Sequence, residues 1–119
     1  MEHKPPAPVI EAAHAEHLTT LPFDDTADFD DTDRGFIAAL QPCVVTAADG
    51  RVVWDNDVYE FLAGDAPTSV HPSLWRQSTL AAKHGLYEVV EGIYQVRGID
   101  LSNTTFVEGD TGVIVIDPL

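Results

Sequence analysis

The stretch LYEVVEGIYQVRGIDLSNTTFVEGDTGVIVID, residues 86–117, decides the fold. Its β-branched and aromatic residues fall into short runs, Tyr87–Val90, Ile93–Val96, Asn103–Glu108 and Val113–Ile116, broken by Glu91-Gly92, by a polar segment after Gly98 and by Gly109-Asp110-Thr111-Gly112. Runs of this length interrupted by Gly and Asp are what strands joined by tight reversals require. Four strands are expected, the last two pairing antiparallel as Thr104–Glu108 against Val113–Asp117. Val113-Ile114-Val115-Ile116 is apolar without alternation, the pattern of a strand buried on both faces. Left wet at about 25 cal/mol per Å², such a strand forfeits several kcal/mol. The strand therefore expects a covering layer, and the sequence reads as part of a larger domain.

Upstream, the period changes. Pro72 is placed to open a helix whose Leu74, Trp75, Ala81 and Ala82 lie near one face, with Lys83 and His84 at its negative end and Gly85 as a left-handed stop. Asp55 or Asn56 is expected to cap a short helix through Val58, Tyr59, Phe61 and Leu62, closed by Gly64. Asp49-Gly50 between Val44-Val45 and Arg51–Trp54 predicts a small hairpin. Val9–Leu18 has helix formers without a strong apolar stripe, so a short helix is expected there.

The charge is uneven. The chain has 119 residues and a formal charge of −14, and its first sixty positions hold 13 acids against 3 bases. Asp24, Asp25, Asp28, Asp30, Asp31 and Asp33 crowd ten positions, with Arg34 just beyond them the one nearby cation, a composition that reads as an extended, solvated arm pinned by Phe23, Phe29 and Phe36. Residues 1–40 are accordingly expected to form an irregular acidic arm, and residues 41–119 the incomplete start of a domain. So acidic a chain has no footprint for nucleic acid. No signal-peptide run or membrane-length apolar stretch is present, so a cytoplasmic location without a membrane span is expected.

Chemistry-bearing residues are sparse. Cys43 has no cysteine partner and an apolar setting, which suits an inert small hydrophobe. Glu11, His14 and His17 have helical spacing, but a structural zinc needs four ligands, so exposed helix histidines are the better reading. His71 is expected to flank a helix start and His84 to sit in the last helical turn. The aspartate run lacks the spacing of a calcium loop. No G-x-S-x-G elbow marks a serine nucleophile.

Several blocks together carry a family resemblance: Phe23-Asp24-Asp25-Thr26-Ala27-Asp28-Phe29, Arg34-Gly35-Phe36-Ile37-Ala38, Gly50-Arg51-Val52-Val53-Trp54-Asp55, Phe61-Leu62, Gly64-Asp65-Ala66-Pro67, His71-Pro72-Ser73-Leu74-Trp75-Arg76-Gln77, His84-Gly85-Leu86 and Gly92 to Gly98. With Asp100 to Thr105, Glu108 to Gly112 and Ile116-Asp117-Pro118-Leu119, these resemble the opening of the linear alkyl sulfatases, from about Leu21 to the last residue. The first twenty residues are read as lying outside the match. The resemblance implies an α/β (α+β) chain, the N-terminal part of a metallo-β-lactamase-like αββα sandwich, with a short antiparallel C-terminal sheet behind two short helices.

In that family two zinc ions activate water against a sulfate ester. Their ligands come chiefly from an H-x-H-x-D-H motif that follows the strand ending in Ile-Asp-Pro-Leu. No cofactor is expected on this chain itself, since the sequence stops before that motif, and it is expected to be inactive alone. An alkyl sulfate would be a substrate only of the complete enzyme. One residue carries over, Asp117, expected to steady the ligand loop by hydrogen bonding without touching metal; Asn103, in a polar loop between two strands, is separately expected to face the substrate pocket of the complete enzyme. Two alternatives stand beside this reading: an interaction module whose last strand pairs with a second copy or a complementary chain, and a remnant of a broken gene.

Overall fold

In the computed structural model, which describes residues 5–118, each apolar run of residues 86–117 forms a strand. The strands in chain order are β1 (Phe36–Ala38), β2 (Val44–Thr46), β3 (Val52–Asp55), β4 (Gly85–Val90), β5 (Ile93–Arg97), β6 (Thr104–Gly109) and β7 (Gly112–Ile116). The helices are α1 (Pro8–Thr20), α2 (Ala27–Asp33) and α3 (Pro72–Ala81), with a 3-10 helix at Asp57–Ala63. The fold is mixed α and β with antiparallel sheets, as expected.

The main sheet runs β1-β4-β5-β6-β7 with every neighbour antiparallel. Its register places Tyr87, Gln95, Thr105 and Ile116 in one row and Glu88, Tyr94, Phe106 and Val115 in the next. Successive rows face opposite sides. Gly109 and Gly112 pair across the Asp110-Thr111 turn, the reversal the sequence predicts. Val113, Ile114, Val115 and Ile116 are all exposed, so within these residues the expected burial on both faces does not occur. β7 is one of the two edge strands of this sheet, with a neighbour on one side only among the described residues.

The fifth strand comes from an unexpected place. β1 lies in the segment read as irregular, and it pairs with β4 through Phe36 opposite Tyr87, whose rings meet edge to face at 5.5 Å. The short helix expected over Val9–Leu18 is α1, whereas the aspartate-rich stretch read as extended contains a second helix, α2, which corrects that reading. α1 has Pro8 in its first turn, where a missing N–H costs nothing. In α2 the N-terminal end carries Asp28 and Asp30, so the acids sit where the helix dipole favours them. Positive groups from elsewhere supply what the local sequence lacks: Arg76 and Lys83 bind Asp28 and Asp33, each at 2.5 Å, and stand over the Phe29 ring.

β2 and β3 form the expected hairpin around Asp49-Gly50, where the Arg51 N–H donates to Asp49 Oδ1 at 3.0 Å. The helix predicted after it is a 3-10 helix with Asn56 at its N-cap position, and the preceding Asp55 accepts from the Asp57 N–H through Oδ1 at 3.0 Å. α3 starts at Pro72 with His71 as its cap, but it ends at Ala81, before Lys83, His84 and Gly85. Gly85 is therefore not a helix stop. It opens β4 at φ +154°, and a Cβ there would lie 2.6 Å from the Ala38 carbonyl oxygen, so it is the close approach of β1 that requires glycine. The buried apolar core is small: Cys43, Leu62 and Tyr87. No helix among the described residues is long and apolar enough to cross a membrane.

Candidate functional site

Leu74, Trp75, Ser78, Ala81 and Ala82 recur at the spacing of one helix face, and on α3 that face lines a cavity of about 520 Å³. The opposite wall is built by Trp54, Phe61 and Leu62 from β3 and the 3-10 helix, and by Gly98–Leu101 from the β5–β6 connection. Phe61 and Trp75 approach with ring centroids 6.0 Å apart. Asn56, nearly buried, ties two walls together: its Nδ2 donates to the Gly98 carbonyl at 2.7 Å and its Oδ1 accepts from the Trp54 indole at 3.3 Å. Both ends of the amide are thus committed to structure.

The chemical character of the cavity is plain. Its walls are mostly aromatic and aliphatic, its single carboxylate is Asp100, and no Lys, Arg or His belongs to the lining. It suits an uncharged apolar group and offers no cationic side chain to balance an anion. The sequence shows the apolar face of α3 but not that it lines a cavity, because the opposing wall comes from residues far along the chain.

Asp117 and Asn103 lie at one end of the sheet, since Thr105 opposite Ile116 places the start of β6 beside the end of β7. Both residues are exposed. Asp117 has left-handed backbone at φ +56°, a conformation that Asp tolerates better than most residues. Its carbonyl accepts from Ser102 Oγ at 3.3 Å and Thr104 Oγ1 at 3.4 Å, the residues on either side of Asn103. Asn103 itself follows the cavity-lining residues Gly98–Leu101 by two positions.

His71 flanks a helix start as expected, whereas His14, His17 and His84 depart from expectation. His14 and His17 are half-buried rather than exposed, because α1 packs against the start of α3. His17 Nδ1 lies 2.7 Å from His71 Nε2, and the His14 ring stands edge-on to His71 at 5.3 Å. A third imidazole is therefore near, contributed from 54 residues away. Even so, among the described residues no group of three His, Cys, Asp or Glu side chains is placed to hold a metal ion, so the residues do not fit the two zinc ions that the family resemblance implies. His84 lies beyond α3, its ring nitrogens 3.4 Å from the Ala82 and Leu40 carbonyls.

Cys43 is 1% exposed, its N–H donating to Asp57 Oδ1 at 3.0 Å. Burial pushes its thiol up; a hydrogen bond with Asn56 opposes this, and the Asp57 and Asp55 carboxylates add to it. Such a thiol is a poor nucleophile at neutral pH. Burial likewise raises the Tyr87 phenol, and the Glu108 carboxylate raises Tyr94.

No family model matches the chain. Over 108 residues it is 45% identical to an alkyl/aryl-sulfatase of Saccharomyces cerevisiae, covering 90% of this chain and 17% of that protein. It is 47% identical over 118 residues to a linear primary-alkylsulfatase of a Pseudomonas species, covering 98% of this chain and 18% of the relative. Among solved structures, a stereoselective inverting sec-alkylsulfatase from Pseudomonas superposes with a TM-score of 0.89 at 44% identity, covering 99% of this chain and 19% of that one. The chain thus spans under a fifth of the relatives it matches. Its similarity also takes in the first twenty residues, which the sequence motifs alone left outside.

Proposed function

We propose, from the homology of this chain with one segment of the alkylsulfatases, that it serves in the hydrolysis of alkyl sulfate esters as a scaffold segment of a larger catalytic assembly. The observation that carries this reading is the 44–47% identity that runs with a common backbone through nearly the whole chain. In this reading the assembly has the metallo-β-lactamase-like sandwich and two zinc ions, and residues outside these 119 hold the metals. Asp117 and Asn103, side by side at one end of the sheet, would support the ligand-bearing loop and the substrate pocket.

A chimera tests it. Replacing the matching segment of the Pseudomonas linear primary-alkylsulfatase with this chain should leave sulfate release from dodecyl sulfate within about tenfold of the parent. The isolated chain with zinc and dodecyl sulfate should release none. A chimera that folds and binds zinc yet is inert would overturn the catalytic reading, and sulfate release by the isolated chain would overturn the scaffold reading.

One structural observation favours a second reading, in which β7 recruits another chain by strand addition. Its Ile114 is 64% exposed and one whole backbone edge is open. Light scattering decides it: a monomer at all concentrations, indifferent to added complementary chain, removes the motive.

A further inference from the structure

We propose that His17 and His71 form a proton-operated latch that holds α1 on the N-terminus of α3. The proton inventory of the pair follows from its hydrogen bonds. His71 Nδ1 accepts from the Ser73 N–H at 3.1 Å, so this nitrogen is bare and the ring carries its proton on Nε2. That proton is donated across 2.7 Å to His17 Nδ1, which must also be bare, leaving the second ring protonated on Nε2. Two neutral imidazoles of defined tautomer are therefore built into the contact between α1 and α3.

An added proton has no harmless place to go. If His71 takes it, Nδ1–H faces the Ser73 N–H and the helix loses its cap. If His17 takes it, the shared bond reverses direction, His71 must move its own proton to Nδ1, and the same cap is lost. The new positive charge then sits at the positive end of α3. A second proton sets N–H against N–H between the two rings and breaks the contact itself. Release is thus a two-step event: the cap goes first and α1 second.

The surroundings supply little compensation. On α1, His14 donates from Nδ1 to the Thr68 carbonyl at 2.9 Å, and Glu11 accepts from Thr68 Oγ1 at 2.9 Å. The first turn of α3 has no acid, and Arg76, the first charge along it, is bound to Asp28 on α2. α1 has no fully buried residue, so these polar ties dominate its attachment.

Nitrogen-detected and amide NMR on the full chain between pH 7.5 and pH 5, with EDTA present, tests the latch. At pH 7.5 the His71 ring should be protonated on Nε2 alone. On acidification the Ser73 amide should move first, and the amide-exchange protection of α1 should then fall about tenfold after correction for intrinsic rates. His17→Gln, whose amide oxygen accepts from His71 Nε2–H in either state, should keep α1 docked at pH 5 while Ser73 still responds. His71→Asn, which caps without titrating, should fix Ser73 and release α1 at every pH. A His71 proton found on Nδ1 at pH 7.5, or unchanged α1 protection while both rings titrate, would overturn the proposal.

Discussion

Arg76 on α3 and Asp28 on α2, 48 residues apart, are joined side on, with Nη2 2.5 Å from Oδ1 and Nε 3.3 Å from Oδ2. The same guanidinium donates to the carbonyls of Phe23 and Asp25 and lies 4.8 Å over the Phe29 ring. One planar fork thus organises the acidic segment, a task for which a lysine lacks both the geometry and the number of donors.

Arg76→Ala should therefore lower stability by about 2 kcal/mol, the sum of a partly screened ion pair and a cation–π contact. Arg76→Lys should recover less than half of it. Urea unfolding measures both, and the gap between wild type and Arg76→Ala should narrow in 1 M salt, since Asp28 is half-exposed.

Two glycines separate conformational strain from steric conflict. Gly50 has φ +85° with open space around it, so Gly50→Ala should cost about 1 kcal/mol. Gly85→Ala meets the Ala38 carbonyl at 2.6 Å and should cost well over twice that, with β1 detaching from β4. Amide exchange at residues 36–38 reads the second effect directly.

Cys43 is sealed and its thiol raised by burial, so it should react with a thiol reagent at pH 8 at least about a hundredfold more slowly in the folded chain than in urea. Equal rates would mean that the hairpin opens freely.

The alkaline limb of stability should bear the mark of Tyr87. Burial raises its phenol above the ordinary value, so the folded chain keeps a proton that the unfolded chain releases. That contribution is complete below about pH 10 and is lost as pH rises through the folded value. Tyr87→Phe should flatten the fall in stability above pH 10, and the remaining slope should include Tyr94, raised chiefly by the Glu108 carboxylate.

On the reading in which β7 recruits another chain by strand addition, Ile114→Lys should abolish that pairing while changing stability by less than about 1 kcal/mol, because a charge on an exposed edge strand blocks pairing without emptying a core. Sedimentation at increasing concentration is the measurement.

Legibility from sequence follows the range of the interactions. The strand runs of residues 86–117, the Asp49-Gly50 hairpin and the Pro72 helix start are all local, and each stands where the residues place it. The resemblance to alkyl sulfatases, read from ordered blocks, agrees with the relatives found. What failed was non-local. α2 looks too acidic to fold because its cations, Arg76 and Lys83, lie some fifty residues away. β1 is three residues long and becomes a strand only through β4. Gly85 resembles a helix stop until Ala38 is seen beside it, and His14 and His17 look exposed until His71 arrives. The cavity is illegible for the same reason, its two walls being remote in sequence.

The pairing of Phe36 with Tyr87 also sets an order of events during synthesis. β5, β6 and β7 form a meander of neighbours that closes as soon as its own residues are available. β1, by contrast, leaves the ribosome about fifty residues before its partner and must wait, with Phe36 and Ile37 uncovered, until β4 emerges. Both helices of the acidic segment lie just ahead of that waiting strand, so it emerges behind a block of like charge that repels a second copy of itself.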